Sequence, residues 1–106
     1  DIIEAAKEKI ESTYMLEEIS LNTVAAGVGM SPSYFSSVFS REMGKTFVEY
    51  LTGIRMDKAK ELLMCSSMKT SEIGYEVGYK DPHYFSYLFK KTQGCSPKEY
   101  RARRKE

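Results

Sequence analysis

Residues 31–50 and 81–100 of this chain are two versions of one segment. The first reads SPSYFSSVFSREMGKTFVEY and the second DPHYFSYLFKKTQGCSPKEY. Eight of the twenty positions are identical: Pro32/Pro82, Tyr34/Tyr84, Phe35/Phe85, Ser36/Ser86, Phe39/Phe89, Gly44/Gly94, Glu49/Glu99 and Tyr50/Tyr100. Upstream, Val24 and Val28-Gly29 match Ile73 and Val77-Gly78 at an offset of 49, so the second copy has one extra residue before its proline. Two copies are too few for a solenoid, which needs at least about three stacked units. They read as two copies of one supersecondary unit.

Glycines, prolines and capping residues cut the chain into helical pieces, and no segment sustains strand alternation, so the expected class is all-α with about seven helices. Ile2, Ile3, Ala6, Ile10 and Tyr14 step by threes and fours and place a first helix near 1–14. Ser20 caps a short helix with Leu21, Val24, Ala25 and Val28 inward, and Gly29 takes the turn at positive φ. Ser31 with Pro32 opens the next helix, which buries Tyr34, Phe35, Val38, Phe39 and Met43 and stops at Gly44. Thr46-Phe-Val-Glu49 is a capping box for a long helix to about Cys65, with Phe47, Tyr50, Leu51, Ile54, Leu62 and Leu63 on its apolar face. The pattern then recurs. A short helix runs from about Ser71 to Val77, Gly78 turns, and Asp81-Pro82 caps a helix burying Tyr84, Phe85, Leu88 and Phe89 that ends at Gly94. Ser96-Pro-Lys-Glu99 is a second capping box, leading through Tyr100 into the tail Arg103-Arg104-Lys105.

A short helix, a tight turn with glycine and a capped second helix form the helix-turn-helix layout. The expected organisation is a first such unit with its N-terminal helix at 1–45, a linker helix at 46–66, and a second unit with a C-terminal helix at 67–106. A linker of ~20 residues spans ~30 Å. Successive major-groove faces of a duplex lie ~34 Å apart. The linker length therefore suits two recognition helices about one helical turn apart.

Composition narrows the classes without choosing among them. The chain has 16 Lys plus Arg, 15 Asp plus Glu, one His and two Cys. The net charge of +1 gives no global reason to meet a polyanion. That average hides a gradient from −4 over residues 1–50 to +5 over residues 51–106, which fits a polarised molecule with one polyanion-facing end. Cys65, Cys95 and His83 supply no clustered set of zinc ligands, so no metal or cofactor is expected, and two reduced thiols of a cytoplasmic protein are the simpler reading. No apolar run approaches the ~20 residues of a membrane span. The chain opens at Asp1 without Met, and the expectation is a piece of a longer protein. An enzyme is not expected: no glycine-rich phosphate loop follows a strand, and His83 has no nucleophile in a recognisable arrangement. Glu4, Glu8 and Glu11 read as the solvated face of the first helix.

The residues Gly29-Met-Ser-Pro-Ser-Tyr-Phe35, Phe39, Arg55, Ala59, Leu62-Leu63 and above all the run from Val77-Gly-Tyr-Lys-Asp-Pro82 to Tyr100-Arg101 resemble the C-terminal DNA-binding domain of AraC/XylS-type transcription activators, over essentially the whole chain. Leu51-Thr52, Arg55 with Lys58-Ala-Lys60, and Gly78-Tyr-Lys-Asp are most similar to YesN-type response regulators. The resemblance implies sequence-specific binding of double-stranded DNA, and a regulatory part ahead of Asp1, a receiver domain in the YesN type.

In each unit the second helix should meet the major groove with its outward residues. By matching position, the family reads bases at the places held here by Ser33, Ser36 and Ser37, and phosphates near Ser40 and Arg41. Serine departs from the family's longer Gln, Arg or Trp, and a hydroxyl discriminates bases poorly. In the second copy the outward positions are His83, Ser86 and Tyr87, expected at bases, and Lys90 and Lys91, expected at phosphates. The helix starts at Ser31-Pro32 and Asp81-Pro82 also offer backbone N–H groups to phosphate, unless the Asp81 carboxylate stands in the way. Arg55 and Arg101 carry two readings side by side, a phosphate contact or an internal packing role. The aromatics Tyr34, Phe35, Phe39, Tyr84, Phe85 and Phe89 are expected in the core from their spacing. The second unit should supply most of the phosphate grip. The competing class is a helical interaction module that docks a receiver domain or RNA polymerase and binds DNA weakly.

Overall fold

A computed structural model describes residues 1–104, and seven helices form among them: α1 (Ile2–Thr13), α2 (Leu21–Gly27), α3 (Pro32–Met43), α4 (Phe47–Cys65), α5 (Thr70–Glu76), α6 (Pro82–Gln93) and α7 (Pro97–Ala102). No strand occurs among these residues. Lys105, the end of the basic tail, lies outside them.

The sequence repeat is a structural repeat. α2 and α5 have seven residues each, and α3 and α6 have twelve each. The connection is 28–31 in the first copy and 77–81 in the second, so the extra residue sits inside the turn. Local hydrogen bonds explain where the helices start. The Ser31 hydroxyl accepts from the Tyr34 N–H (3.3 Å), and Pro32 takes the first helical position, where no N–H is needed. Thr46 and Glu49 form a reciprocal box at 2.8 and 3.0 Å, and Ser96 and Glu99 repeat it at the same two distances. α3 and α6 both stop at a glycine in the left-handed region, Gly44 at φ +74° and Gly94 at φ +87°. α5 starts one residue ahead of the sequence expectation, because the Glu72 carboxylate accepts the Lys69 N–H at 2.8 Å and caps the turn there.

The chain divides into two compact units, Asp1–Ile54 and Arg55–Glu106. The division falls within α4 rather than at its ends, and this differs from a linker set apart at 46–66. The reason is the burial pattern along α4. Its early residues Phe47 and Leu51 join the core of the first unit, whereas Met56, Ala59 and Leu63 join that of the second.

In the first unit α1 and α3 supply Ile3, Ala6, Ile10, Phe35, Val38 and Phe39 to a core that α2 completes with Val24 and Ala25. Phe39 meets Phe47 and Tyr50 edge-on at 6.0 and 5.5 Å. In the second unit Phe85 and Phe89 of α6 stand 6.0 Å apart, and Phe89 meets Tyr100 edge-on at 5.9 Å. Such offset and edge contacts each add about 0.5–1.5 kcal/mol beyond burial. Tyr34 and Tyr84 correct the expectation: they are 61% and 50% exposed. Each sits in the first turn of its helix, one residue ahead of the inward Phe35 or Phe85, at the margin of the apolar stripe. Ile2 is likewise exposed at the start of α1.

Glu99 links this scaffold to pH. Hydrogen bonds from the Ser96 backbone N–H and then the Ser96 hydroxyl hold its carboxyl below the usual range, aided by the charges of Lys90 and Arg103. A carboxyl depressed in the folded state stabilises fully above its unfolded value, roughly 4.3, and that contribution is lost as pH falls through the lower folded value. Thermal melts followed by helical circular dichroism across this acid range should show a steeper loss in the wild type than in Glu99→Gln. Parallel curves would remove Glu99 from the acid response.

Candidate nucleic-acid interface

The two second helices present outward faces of different chemistry. On α3, Ser33, Ser37 and Arg41 are exposed, and Ser36 and Ser40 are half-buried. On α6, His83, Tyr87, Lys90 and Lys91 are exposed, and Ser86 is half-buried. Each set lies on one helix because the inward stripe is taken by Phe35, Val38 and Phe39 in the first copy and by Phe85 and Phe89 in the second. The face of α3 is lined by short hydroxyls with one guanidinium. That of α6 carries an imidazole, a phenol and two ammonium groups. Lys91 Nζ stands 5.7 Å from the Tyr87 ring centroid, which steadies both side chains at the surface. Ser86, Tyr87, Lys90 and Lys91 line an open hollow with Ser96 of the following turn.

The helix starts differ in what they leave for a ligand. The Asp81 carboxylate accepts the N–H groups of His83 (2.9 Å) and Tyr84 (3.4 Å), so at α6 these donors are occupied by the cap. At α3 the Ser31 hydroxyl accepts the Tyr34 N–H and keeps its own proton to donate.

Arg55 and Arg101 both make packing contacts within the second unit. Arg55 is buried at 5% exposure, with its guanidinium carbon 4.7 Å from the Tyr79 ring centroid. It presses on the turn at Gly78, where an added Cβ would stand 2.7 Å from that carbon. Arg101 donates from Nε to the Leu63 carbonyl (3.0 Å) and from Nη2 to the Ser66 carbonyl (3.1 Å). Arg104 adds a bond from Nη1 to the Ser66 carbonyl at 3.0 Å. α4 has no basic residue in its own last turn, and these arginines satisfy carbonyls at its C-terminal end and neutralise the negative end of its dipole. Sequence reading missed the Arg104 contact, because nothing local to 101–104 signals which distant carbonyls it meets. The Tyr79 stack was missed for the same reason.

Among the described residues no group of three or more His, Cys, Asp or Glu is placed to hold a metal ion. No described helix is long and apolar enough to cross a membrane.

Known proteins share this architecture. The family profile for a helix-turn-helix domain matches residues 24–103. The C-terminal domain of the response regulator AraT from Geobacillus stearothermophilus is 39% identical, with a TM-score of 0.96 over 99% of this chain and 88% of that one. The C-terminal domain of the two-component response regulator yesN from Fusobacterium nucleatum is 36% identical, with a TM-score of 0.91 over 92% of this chain and 95% of that one. The DNA-binding domain of the global transcriptional factor AdpA, solved in complex with a target DNA, is 27% identical, with a TM-score of 0.84 over 95% and 89% of the two chains. The curated relatives are longer: the chain spans 58%, 35% and 11% of the first three, all HTH-type transcriptional regulators. With two helix-turn-helix units in tandem and these matches across nearly all of its length, the chain belongs to the AraC/XylS family of helix-turn-helix domains.

Proposed function

We propose that this chain binds double-stranded DNA sequence-specifically as the DNA-binding part of a bacterial-type transcriptional regulator acting in the cytoplasm. The observation that carries the reading is the pair of repeated units, each presenting an exposed polar face on its second helix. The relative solved on its target DNA supports it. In this reading α3 and α6 each enter a major-groove segment. Ser33, Ser36, Ser37, His83, Ser86 and Tyr87 face base edges. Ser31, Ser40, Arg41, Lys90 and Lys91 face phosphates, while Arg55 and Arg101 hold the scaffold. The likeness to response-regulator C-terminal domains supports a receiver domain as the regulatory partner; RNA polymerase is a further partner in this proposal alone.

Selection from a random duplex pool tests this. A defined site with two recognition elements about one helical turn apart is expected. His83→Ala should relax the preference within one element and leave the other intact. An unenriched pool, with weak affinity that ignores salt, would favour the interaction-module alternative.

A further inference from the structure

Laying one unit over the other sorts the outward residues of α3 and α6. Positions 33/83, 37/87, 40/90 and 41/91 differ between the copies: Ser to His, Ser to Tyr, Ser to Lys and Arg to Lys. Positions 34/84 and 36/86 are identical. The remaining identities follow from the fold. Phe35/Phe85 and Phe39/Phe89 are core, Pro32/Pro82 open helices, Gly44/Gly94 close them, Glu49/Glu99 complete capping boxes, and Tyr50/Tyr100 pack edge-on against Phe39 and Phe89.

Tyr34 and Tyr84 are not explained in this way. They are 61% and 50% exposed, and neither hydroxyl is hydrogen-bonded among the described residues. Tyr84 leans edge-on against Tyr79 at 5.9 Å, and Tyr79 lies under the Arg55 guanidinium. The ring is thus propped from behind while its hydroxyl stays free.

Two DNA elements of different sequence share only their sugar-phosphate backbone. Identity alone does not sort the faces, since Ser36/Ser86 are the same in both units and 40/90 and 41/91 differ. An exposed side chain that is the same in both units and lies off the centre of the outward face suits what both elements share. The helix wheel agrees. At about 100° per residue, Ser37 and Arg41 lie about 40° and 80° round from Ser33, and Tyr34 about 100°. Tyr34 therefore shares the flank of Arg41, and Tyr84 by the same count shares the flank of Lys91. In a helix seated in the major groove, the centre of the outward face meets base edges and the flanks meet the phosphate walls.

We infer that Tyr34 and Tyr84 are matched backbone-docking residues, each donating its hydroxyl to a phosphate on the flank it shares with Arg41 or Lys91. This rests on the duplex-DNA reading above. It adds a neutral contact common to both units, independent of the sequence read.

The test uses Tyr34→Phe and Tyr84→Phe against the selected duplex and a scrambled one across a salt series, with thermal melts as a control. Each variant should bind both duplexes about three- to tenfold more weakly, the range for one lost hydrogen bond. The ratio between duplexes should not change. The salt slope should also stay the same, because a neutral hydroxyl releases no counterion. Unchanged affinity in both variants overturns the inference, as does a changed preference between duplexes, which would make these residues base readers. If the wild type binds neither duplex, the DNA reading fails first and this inference with it.

Discussion

Gly78→Ala is expected to destabilise the second unit more than the repeat-matched Gly29→Ala destabilises the first. Both glycines turn the chain between the two helices of a unit, and both have positive φ, +73° at Gly29 and +118° at Gly78. An alanine at Gly29 meets no neighbour within 4 Å, so its cost is the left-handed backbone alone, about 1–2 kcal/mol. At Gly78 the backbone lies beyond the left-handed helical well, where a side chain costs about 1–3 kcal/mol. The new Cβ would also stand 2.7 Å from the Arg55 guanidinium carbon and 2.8 Å from Nε. That guanidinium is buried and stacked on Tyr79, so it cannot swing clear without leaving its ring. The combined loss should reach about 3 kcal/mol or more, once displacement of a buried cation from its partner is added. Denaturant melts of the two single variants check the ranking. A cycle with Arg55→Ala separates the parts: the cost of Gly78→Ala should shrink when the guanidinium is absent. Equal losses at the two glycines would refute the account.

Lys90→Ala combined with Lys91→Ala should produce the largest loss of DNA affinity. Each ammonium is exposed on the outward face of α6. If each neutralises one phosphate, the double variant should flatten the log–log salt slope by about 1.8, and affinity near 0.1 M salt should fall on the order of 60-fold. Selected and scrambled duplexes should weaken together, because phosphate contacts carry no sequence information. Arg41→Ala on α3 should remove only about half as much slope. The second unit would then supply most of the phosphate grip, as the charge gradient along the chain suggests. An unchanged slope in the double variant would place the phosphate contacts elsewhere.

The two helix-turn-helix units were readable from sequence because their boundaries are set by local chemistry. Caps at Ser20, Ser31, Thr46, Asp81 and Ser96, and stops at Gly44 and Gly94, each depend on hydrogen bonds or φ values within four residues. Periodicity likewise found the inward Phe35, Phe39, Phe85 and Phe89. It misplaced Tyr34 and Tyr84, because a three-four spacing defines the direction of a stripe and not how far the neighbouring helices extend over its edge. The outward faces of α3 and α6 followed from the same periodicity, as the positions left over once the core was assigned.

The arginines mark the limit of such reading. Arg55 and Arg101 had equal claims on a phosphate and on a packing role from sequence, since each is a long cation near a helix surface, and Arg104 read only as part of the basic tail. Only tertiary packing brings Arg55 over Tyr79, 24 positions away, and Arg101 and Arg104 to the carbonyls at the end of α4. The sequence alone determined the repeat, the helix boundaries and the class of surface each second helix shows, because caps, glycines and periodicity act over one or two turns. The tertiary structure decided which arginines pack on a ring or on helix-end carbonyls, which tyrosines face outward and where α4 divides between the units, because those contacts join residues from far apart in the chain.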